Sequence, residues 1–401
     1  MDAPTASKRD WPQAVTGWFK DSIIDIDDHI DHAWRRIDAR LGRGAPRHIA
    51  AYRGFADARG IEAMGRVLAN EPLGGPREDD GWWDNLLNTY RRFESDEVAD
   101  AELEVRYRRD GQALNSDHEG YYSVSMAAAA PARDAPLWEN ATVSLADGRL
   151  ATPQPLLQVL PDAGIGIISD IDDTVLESGI TSLKTAAQLA FLHNARTRKP
   201  LPGVAALYRA LQAGRNPLFY VSSSPYNLYD LLEDFMELNG IPFGPVYLRD
   251  LGTDEGKFIK TQGHGHKLER ALWLIERMPQ LRWILLGDSG QADAELYAEA
   301  ARSHGDRIAA VYIRDIDPGS DSDRDLRVDG HIHRVGGTSV PMLRVADSLA
   351  IAEHARGLGL LDAAAVAAVA AEVDRDRTRP TLGEAAVAEV LEDSAGAPPA
   401  A

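Results

Sequence analysis

The fold is indicated by the stretch Ile167-Ile168-Ser169-Asp170-Ile171-Asp172-Asp173-Thr174-Val175, in which an apolar run ends in carboxylates at positions i and i+2. The apolar run predicts a buried strand, so Asp170 should emerge where that strand ends. In open parallel α/β sheets, ligands bind outside the carboxyl ends of the strands. Two acids there can divide catalysis, one attacking and the other transferring a proton. The alternative is a structural Asx turn after a strand.

From Gly164 to about Arg356, short apolar runs alternate with helical patterns. The stretches between the apolar runs predict helices, for example Leu228–Asn239 and Lys267–Arg277. The apolar runs predict buried strands at Ile165–Ser169, Pro217–Ser222, Val246–Leu248, Trp283–Leu286 and Ile308–Ile313. Such alternation predicts an α/β fold with a doubly wound parallel sheet.

Further polar residues follow these strands or open a helix. Ser222 ends one strand and Ser223 follows it, Lys267 opens a helix, and a Gly-Asp-Ser-Gly turn with Asp288 leads to Asp293. Each has a structural explanation when taken alone, because hydroxyls cap helices, lysines are usually solvated and such turns are common. Together they supply what phosphate-ester hydrolysis requires.

Phosphoryl transfer depends mainly on positioning and charge neutralisation. A carboxylate nucleophile is repelled by the negative substrate, so a divalent cation must screen it, and Mg²⁺ accepts such hard oxygen ligands. Asp170 and Asp288 at neighbouring strand ends are candidate ligands, with Asp293 close by. A lysine and a serine hydroxyl would bind phosphoryl oxygens. Asp172 would protonate the leaving oxygen and later activate water.

This ordered set resembles the haloacid dehalogenase superfamily of phosphatases over about residues 164–313. A narrower resemblance is to the catalytic domain of the actin-patch-type phosphatidate phosphatase family, based on residues 169–174, 220–226 and 287–293. The upstream stretches Tyr52-Arg53-Gly54-Phe55 and Gly65-Arg66-Val67-Leu68 are similar to the region that precedes that domain. One departure is Ser223, where many relatives have asparagine.

The resemblance implies a Mg²⁺-dependent phosphatase that removes phosphate from phosphatidate through an aspartyl-phosphate and yields diacylglycerol. It implies that Asp170 is the nucleophile and Asp172 the general acid/base. The implied phosphate-binding residues are Ser222, with Ser223 beside it, and Lys267. Ser222 matches the superfamily position because it directly ends the apolar strand.

The resemblance also implies the metal contacts. These are the side chains of Asp170 and Asp288, the backbone carbonyl of Asp172 and, in support, Asp293. Between the first two motifs, residues 177–201 leave room only for a small cap. A small cap leaves a site open to large substrates, which fits a lipid head group and equally a phosphoprotein or a sugar phosphate.

The remaining chain predicts three further segments. Residues 1–45 carry a helical apolar stripe, and residues 46–160 contain short strands, such as Ala101–Tyr107 and Leu137–Leu145, that predict a β-sandwich-like domain. The phosphatase domain is expected at 161–358. Residues 359–401 predict an Ala-rich helix followed by a flexible tail.

Composition limits the partners. The net charge of -19 argues against non-specific binding to nucleic acid or anionic bilayers, and the absence of cysteine excludes a thiol nucleophile. No apolar run has the length of a transmembrane segment, so a cytoplasmic location is expected, with peripheral contact to membranes for a lipid substrate. The substrate is thus a phosphorylated molecule, either a phospholipid monoester or, as the alternative, a soluble phosphomonoester or phosphoprotein. A non-catalytic scaffold is disfavoured because Asp170, Asp172, Lys267 and Asp288 are intact.

Overall fold

The computed structural model describes residues 47–69, 98–172, 174–175, 200–249, 265–319 and 322–378. Residues 49–68 and 73–401 cluster into one compact unit, which contains the contacts discussed below. The second unit, residues 1–48 and 69–72, falls almost entirely outside the described residues. The predicted N-terminal helix, small cap and flexible tail also lie outside them.

The first half of the described chain is β-rich. Its strands are β1 (His48–Ala51), β2 (Gly54–Asp57), β3 (Gly60–Leu68), β4 (Glu102–Tyr107), β5 (Asp110–Asn115), β6 (Tyr121–Met126), β7 (Trp138–Leu145) and β8 (Ala151–Gln158). They join in the order β1-β3-β2-β8-β7-β4-β5, and β6 pairs with β3. The predicted strands are thus present, but hydrogen bonds link all eight into one sheet instead of the two separate sheets of a sandwich.

Period-two burial explains why these segments are strands. In β4, Leu103, Val105 and Tyr107 are buried while Glu102 and Arg106 are exposed. Because alternate side chains of a strand point to opposite faces, β4 packs one face into a core and turns the other toward solvent. We call this sheet the β-rich sheet.

The second half contains the predicted parallel sheet, with the five predicted strands and a sixth, Met342–Val345, that the sequence did not predict. Its strands are β9 (Ile165–Ser169), β10 (Leu218–Pro225), β11 (Val246–Arg249), β12 (Arg282–Asp288), β13 (Ile308–Arg314) and β14 (Met342–Val345). The order is β11-β10-β9-β12-β13-β14, and every pairing is parallel. The chain runs outward from β9 in one direction and then returns to β12 on its other side. The strand order therefore reverses beside β9, which is where ligands bind in such sheets.

Helices cover both faces of this sheet. They are α1 (Val204–Gln212), α2 (Tyr229–Leu238), α3 (Gly265–Arg277), α4 (Asp293–Ser303), α5 (Asp323–Val335), α6 (Ser348–Gly357) and α7 (Ala363–Thr378). One apolar core joins α1, α2, α6 and α7 to the sheet, and a second core joins α3, α4 and α5 to the other face. This is the doubly wound arrangement that the alternating sequence predicted.

The predicted Ala-rich helix is present as α7 and belongs to the same compact unit. Its Glu372 accepts a hydrogen bond from the Ala206 backbone N–H at 2.9 Å and binds the Arg209 guanidinium at 2.6 Å. Asp376 accepts the Gly203 N–H at 2.9 Å. These carboxylates satisfy amides at the start of α1, which has no side-chain cap of its own. The domain boundaries at 46, 161 and 359 stay predictions.

Candidate active site

The sheet brings the predicted site residues to one edge. Asp170 directly follows β9, Asp288 ends β12, and Ser222 lies near the end of β10. Lys267 lies in the first turn of α3, and Asp293 begins α4. All five are fully buried. Since β9 is the neighbour of both β10 and β12, their carboxyl ends converge, and side chains far apart in sequence become neighbours.

Lys267 links the first and last of these acids. Its Nζ lies 3.0 Å from Asp170 Oδ1 and 2.9 Å from Asp293 Oδ1, and it is 3.3 Å from Gln291 Oε1. Burial disfavours the ammonium, but the carboxylates of Asp170, Asp293 and Asp288 outweigh it and raise the pKa of Lys267. The residue is therefore a fixed positive charge inside an acidic cluster.

Negative charge exceeds positive charge around Asp170. Asp170, Asp288 and Asp293 each have a carboxylate oxygen within 4.8 Å of the others, so three acids share one ammonium. Burial raises the pKa of Asp170; Lys267 opposes that rise, and the neighbouring carboxylates reinforce it. Apart from the ion pair, its oxygens accept no hydrogen bond from the described residues. An all-oxygen donor set with surplus negative charge fits a hard divalent cation such as Mg²⁺.

The turn after β12 holds two of these acids. Asp288 Oδ1 accepts the backbone N–H groups of Gly290 at 2.5 Å and Gln291 at 2.9 Å. The Asp288 N–H donates to Asp293 Oδ2 at 3.3 Å. Gly287 allows this closeness, because a Cβ there would lie 2.6 Å from the Asp293 Cβ. The Gly-Asp-Ser-Gly sequence thus acts both as a turn and as an acid-positioning element.

Asp172 is held by serine hydroxyls. Ser222 Oγ and Ser224 Oγ donate to Asp172 Oδ2 at 3.0 and 3.1 Å. The Ser224 backbone N–H in turn donates to Ser222 Oγ at 3.0 Å. Ser224 is not among the residues that the sequence predicts for the site, and Ser223, which is among them, is half-buried between the two. Ser223 as a phosphate-binding residue stays a prediction.

His266 is another neighbour outside the predicted set of site residues. One of its ring nitrogens lies 3.1 Å from the Ser222 carbonyl oxygen, so the start of α3 is tied to the end of β10. The only sequence signal was its place beside Lys267, in the pair His264-Gly265-His266, which more often marks a polar loop. His264 lies outside the described residues.

Ser169 and Tyr208 hold the backbone of Asp170 in place. Ser169 Oγ donates to the Asp170 carbonyl at 2.6 Å and lies 2.6 Å from the Tyr208 hydroxyl. Both residues are buried. Burial raises the pKa of Tyr208, so its hydroxyl stays protonated as a fixed donor. The backbone at the strand end is therefore immobilised by hydrogen bonds.

A second acidic cluster lies further along the same sheet edge. Asp315, Asp317 and Asp325 each have a carboxylate oxygen within 4.8 Å of the others. Arg344 already occupies this cluster, with Nη1 2.6 Å from Asp315 Oδ2 and 3.2 Å from Asp325 Oδ1. Arg324 Nη1 lies 3.2 Å from Asp317 Oδ1, so each of the three acids contacts a guanidinium. The cluster is therefore a structural ion-pair network rather than a second cation site.

Residues 165–315 match the family model for the catalytic domain of the phosphatidate phosphatase APP1. This segment resembles a phosphatidate phosphatase catalytic domain. The match covers every site residue described above, and it confirms the resemblance predicted from the motifs. It also supports, for this segment, the prediction of a phosphoric monoester hydrolase.

Two curated relatives show the same similarity. The chain is 33% identical over 153 residues to phosphatidate phosphatase APP1 of Saccharomyces cerevisiae. It is 29% identical over 159 residues to the uncharacterized protein C29B5.04c of Schizosaccharomyces pombe. These alignments cover 38% and 39% of this chain and 26% of each relative, so the chain spans about a quarter of either protein.

Solved structures add little. The crystal structure of phosphoserine phosphatase from T. onnurineus shares 16% identity, over 42% of this chain and 94% of its own, at a TM-score of 0.23. That score supports no conclusion about fold or function. Within the residues that the structure describes, no helix combines the length and apolar character needed to cross a bilayer.

Proposed function

We propose that this chain hydrolyses phosphate monoesters through an aspartyl-phosphate on Asp170. The observation that carries the proposal is the buried Asp170 carboxylate, 3.0 Å from Lys267 Nζ and grouped with the acids Asp288 and Asp293 at the carboxyl edge of a parallel sheet. The family match of residues 165–315 supports the same reaction class.

Each residue has a defined task in this reaction. Asp170 attacks phosphorus in line with the leaving oxygen, forming an O–P bond as the ester O–P bond breaks. Asp172 gives its proton to the leaving oxygen and then removes a proton from the water that attacks the aspartyl-phosphate. Lys267 and Ser222, with Ser223 beside it, bind the phosphoryl oxygens. The second step releases phosphate and regenerates the Asp170 carboxylate.

The donor set would hold Mg²⁺ through the Asp170 and Asp288 side chains and the Asp172 carbonyl, with Asp293 in support. When bound, the ion would screen the negative charges of nucleophile and substrate. The surplus of carboxylates over ammonium groups around Asp170 supports this assignment. A readout that is independent of turnover is calorimetric Mg²⁺ binding, which Asp288→Asn should weaken at least about tenfold.

For the substrate, we propose phosphatidate or a related phospholipid monoester, taken at a membrane surface. The name of the matched catalytic domain supports the lipid class. The second candidate is a soluble phosphomonoester or phosphoprotein, and the net charge of -19 favours it because anionic bilayers repel an acidic protein. A non-catalytic scaffold is the third and weakest candidate, because the acids and the lysine are all assembled.

Phosphate release from an aryl phosphate, in Mg²⁺ and in EDTA, tests the reaction class. We expect turnover in Mg²⁺, none in EDTA, and a loss of at least about 10³-fold in Asp170→Asn, which lacks the nucleophile. Asp315→Asn is the matched control, because it alters a buried acid at the same sheet edge outside the site. Wild-type rates in Asp170→Asn would refute the nucleophile assignment, and no turnover in the wild type would favour the scaffold.

Comparing substrates tests the substrate class. Phosphate release is measured from phosphatidate in detergent micelles, from glycerol 3-phosphate and from a phosphoserine peptide. The lipid proposal predicts the highest kcat/KM on phosphatidate, and binding to vesicles that contain phosphatidate but not to neutral vesicles. Faster hydrolysis of either soluble ester would favour the second candidate.

A further inference from the structure

The serine segment that holds Asp172 runs directly into an aromatic contact with the β-rich sheet. Ser224 is followed by Pro225, which ends β10, and by a 3₁₀ turn over Tyr226–Leu228. The Tyr226 ring stacks on Tyr52 with centroids 5.6 Å apart and planes 13° apart. Tyr229 also packs on Tyr52, at 4.1 Å. We call Tyr52, Tyr226 and Tyr229 the tyrosine junction; all three are buried.

Tyr52 is a rigid platform because its backbone is bonded within the β-rich sheet. Its N–H donates to the Met64 carbonyl at 3.0 Å, and its own carbonyl accepts the Gln154 side-chain amide. The Tyr226 hydroxyl lies 3.0 Å from the Met64 sulfur, so the ring is fixed at its edge as well as its face. The platform therefore restricts both the position and the rotation of Tyr226.

A second set of bonds ties α2 to the same strand region. The Arg53 N–H donates to the Tyr229 hydroxyl at 2.7 Å, and Arg53 Nε binds Glu233 at 2.6 Å. The turn after Ser224 is thus held at Tyr226 and again at Tyr229. Both anchors belong to the β-rich sheet, whereas the serines belong to the parallel sheet.

The geometry at Asp172 leaves little room for movement. Ser222 and Ser224 both donate to one carboxylate oxygen, at 3.0 and 3.1 Å, which is already the upper limit of the usual O–H···O range of about 2.5–3.0 Å. A displacement of about 1 Å at a reacting group can cost about 10²-fold in rate. A shift of the turn after Ser224 would reach Asp172 through these two bonds.

We propose that Tyr226 is a positioning residue of the active site. By stacking on Tyr52, it fixes the positions of Ser222 and Ser224, which orient Asp172. The β-rich sheet is then an integral part of the catalytic apparatus rather than a separate attachment. This inference rests on the proposed phosphatase function, and it assigns the β-rich sheet a role in that reaction.

The test compares Tyr226→Leu with Phe55→Leu in the full chain. Phe55 is also buried in the β-rich sheet, and its ring packs edge-on against Phe219 at 5.5 Å, but in the core on the opposite face of the parallel sheet. Both variants lose one buried aromatic ring, so both should lower Tm by a similar amount. Tyr226→Phe keeps the ring, so its kcat should stay within about twofold of the wild-type value.

Two readouts separate positioning from stability. The first is the ratio of kcat/KM on an aryl phosphate to that on an alkyl phosphate, because a poor alkoxide leaving group depends more on protonation by Asp172. Tyr226→Leu should lower kcat on the alkyl ester at least about tenfold and raise that ratio at least about fivefold. Phe55→Leu should leave the ratio unchanged.

The second readout is hydrogen exchange of the Ser224 amide, which donates to Ser222 Oγ and does not depend on turnover. The Ser224 amide proton should exchange at least about tenfold faster than in wild type in Tyr226→Leu, and at the wild-type rate in Phe55→Leu. Tyr52→Leu removes the other ring of the stack and should reproduce both effects. It replaces Tyr226→Leu in the test if Tyr226→Leu does not fold.

Equal ratios and equal exchange rates in the Tyr226→Leu and Phe55→Leu proteins would overturn the inference. If the wild type released no phosphate at all, the proposed function would fall, while the exchange comparison would still decide whether Tyr226 positions the serines.

Discussion

Lys267→Met removes the ammonium that two buried carboxylates contact, while most of the side-chain length is kept. Asp170 and Asp293 would lose ion pairs of 3.0 and 2.9 Å, and their burial would be unchanged. Because methionine fills nearly the same space as the lysine stem, no large cavity should form. The change therefore isolates the electrostatic contribution of the lysine.

The magnitude follows from the contact distances. At 3 Å and an effective dielectric constant of about 20, each ion pair is worth about 5 kcal/mol, and desolvation of the ammonium cancels several kcal/mol of that sum. Removing one partner of a buried pair costs about 3–5 kcal/mol, because the remaining charge stays buried without compensation. We expect a loss of about 4 kcal/mol in metal-free buffer. At about 2 °C per kcal/mol, Tm should fall by about 8 °C.

Thermal unfolding followed by circular dichroism measures the stability loss, and phosphate release measures the catalytic loss. If Lys267 binds the phosphoryl oxygens, kcat should fall by about 10²–10³-fold. Arg344→Met is the control, because Arg344 pairs with two acids of the second cluster, outside the site, and is partly exposed. It should lose less stability and keep kcat within about twofold. An unchanged Tm and kcat in Lys267→Met would show that the described ion pairs do not form.

Three further outcomes are expected. Glu372→Ala should lower the free energy of unfolding in urea by about 2–3 kcal/mol, because a buried carboxylate bonded to a backbone amide and a guanidinium is lost, whereas Arg377→Ala, in an exposed pair, should cost under about 0.5 kcal/mol. Gly203→Ala should lower Tm more than Gly214→Ala does. Both glycines have a positive φ, of 74° and 68°, so either alanine is strained by about 1–2 kcal/mol, but only at position 203 would the new Cβ overlap an α7 side chain. Equal losses of Tm would contradict that packing. A hydrogen bond from a neighbouring guanidinium lowers the pKa of Glu139 below its usual 4.5, so its stabilisation is present above that pH and is lost as pH falls through the folded-state pKa. Glu139→Gln should thus be less stable than wild type in urea at pH 7, with the difference gone in strong acid; a gap that persisted there would rule out this linkage.

Much of the parallel sheet could be predicted because its strands are continuous apolar runs and its polar residues stand where those runs stop. Parallel strands place their carboxyl ends at one edge, so Asp170 and Asp288 had to meet once the sheet was inferred. Ser224 could have been predicted from strand geometry, which the choice of Ser223 did not take into account. Side chains two residues apart on a strand share a face, so Ser222 and Ser224 point together while Ser223 points away.

The β-rich sheet was harder to predict because two of its strands lack the usual signals. β8 contains Pro153 and Pro155, which normally argue against a strand paired on both sides. β5 stands last in the strand order and has no β-branched residue, so its sequence looks like a turn. Nor does any periodic pattern announce the stacking of Tyr52 on Tyr226, because that contact joins two elements far apart in the chain.

The link between α7 and α1 has a consequence for synthesis. The backbone amides of Gly203 and Ala206 donate to carboxylates that lie 173 and 166 residues further along the chain. At about 5–20 residues per second, a ribosome delivers those partners roughly 10–30 s after the amides themselves. During that interval the start of α1 lacks these hydrogen-bond partners and the apolar face that α7 later covers is exposed. Exposed apolar surface of this kind is what chaperones bind, until α7 emerges.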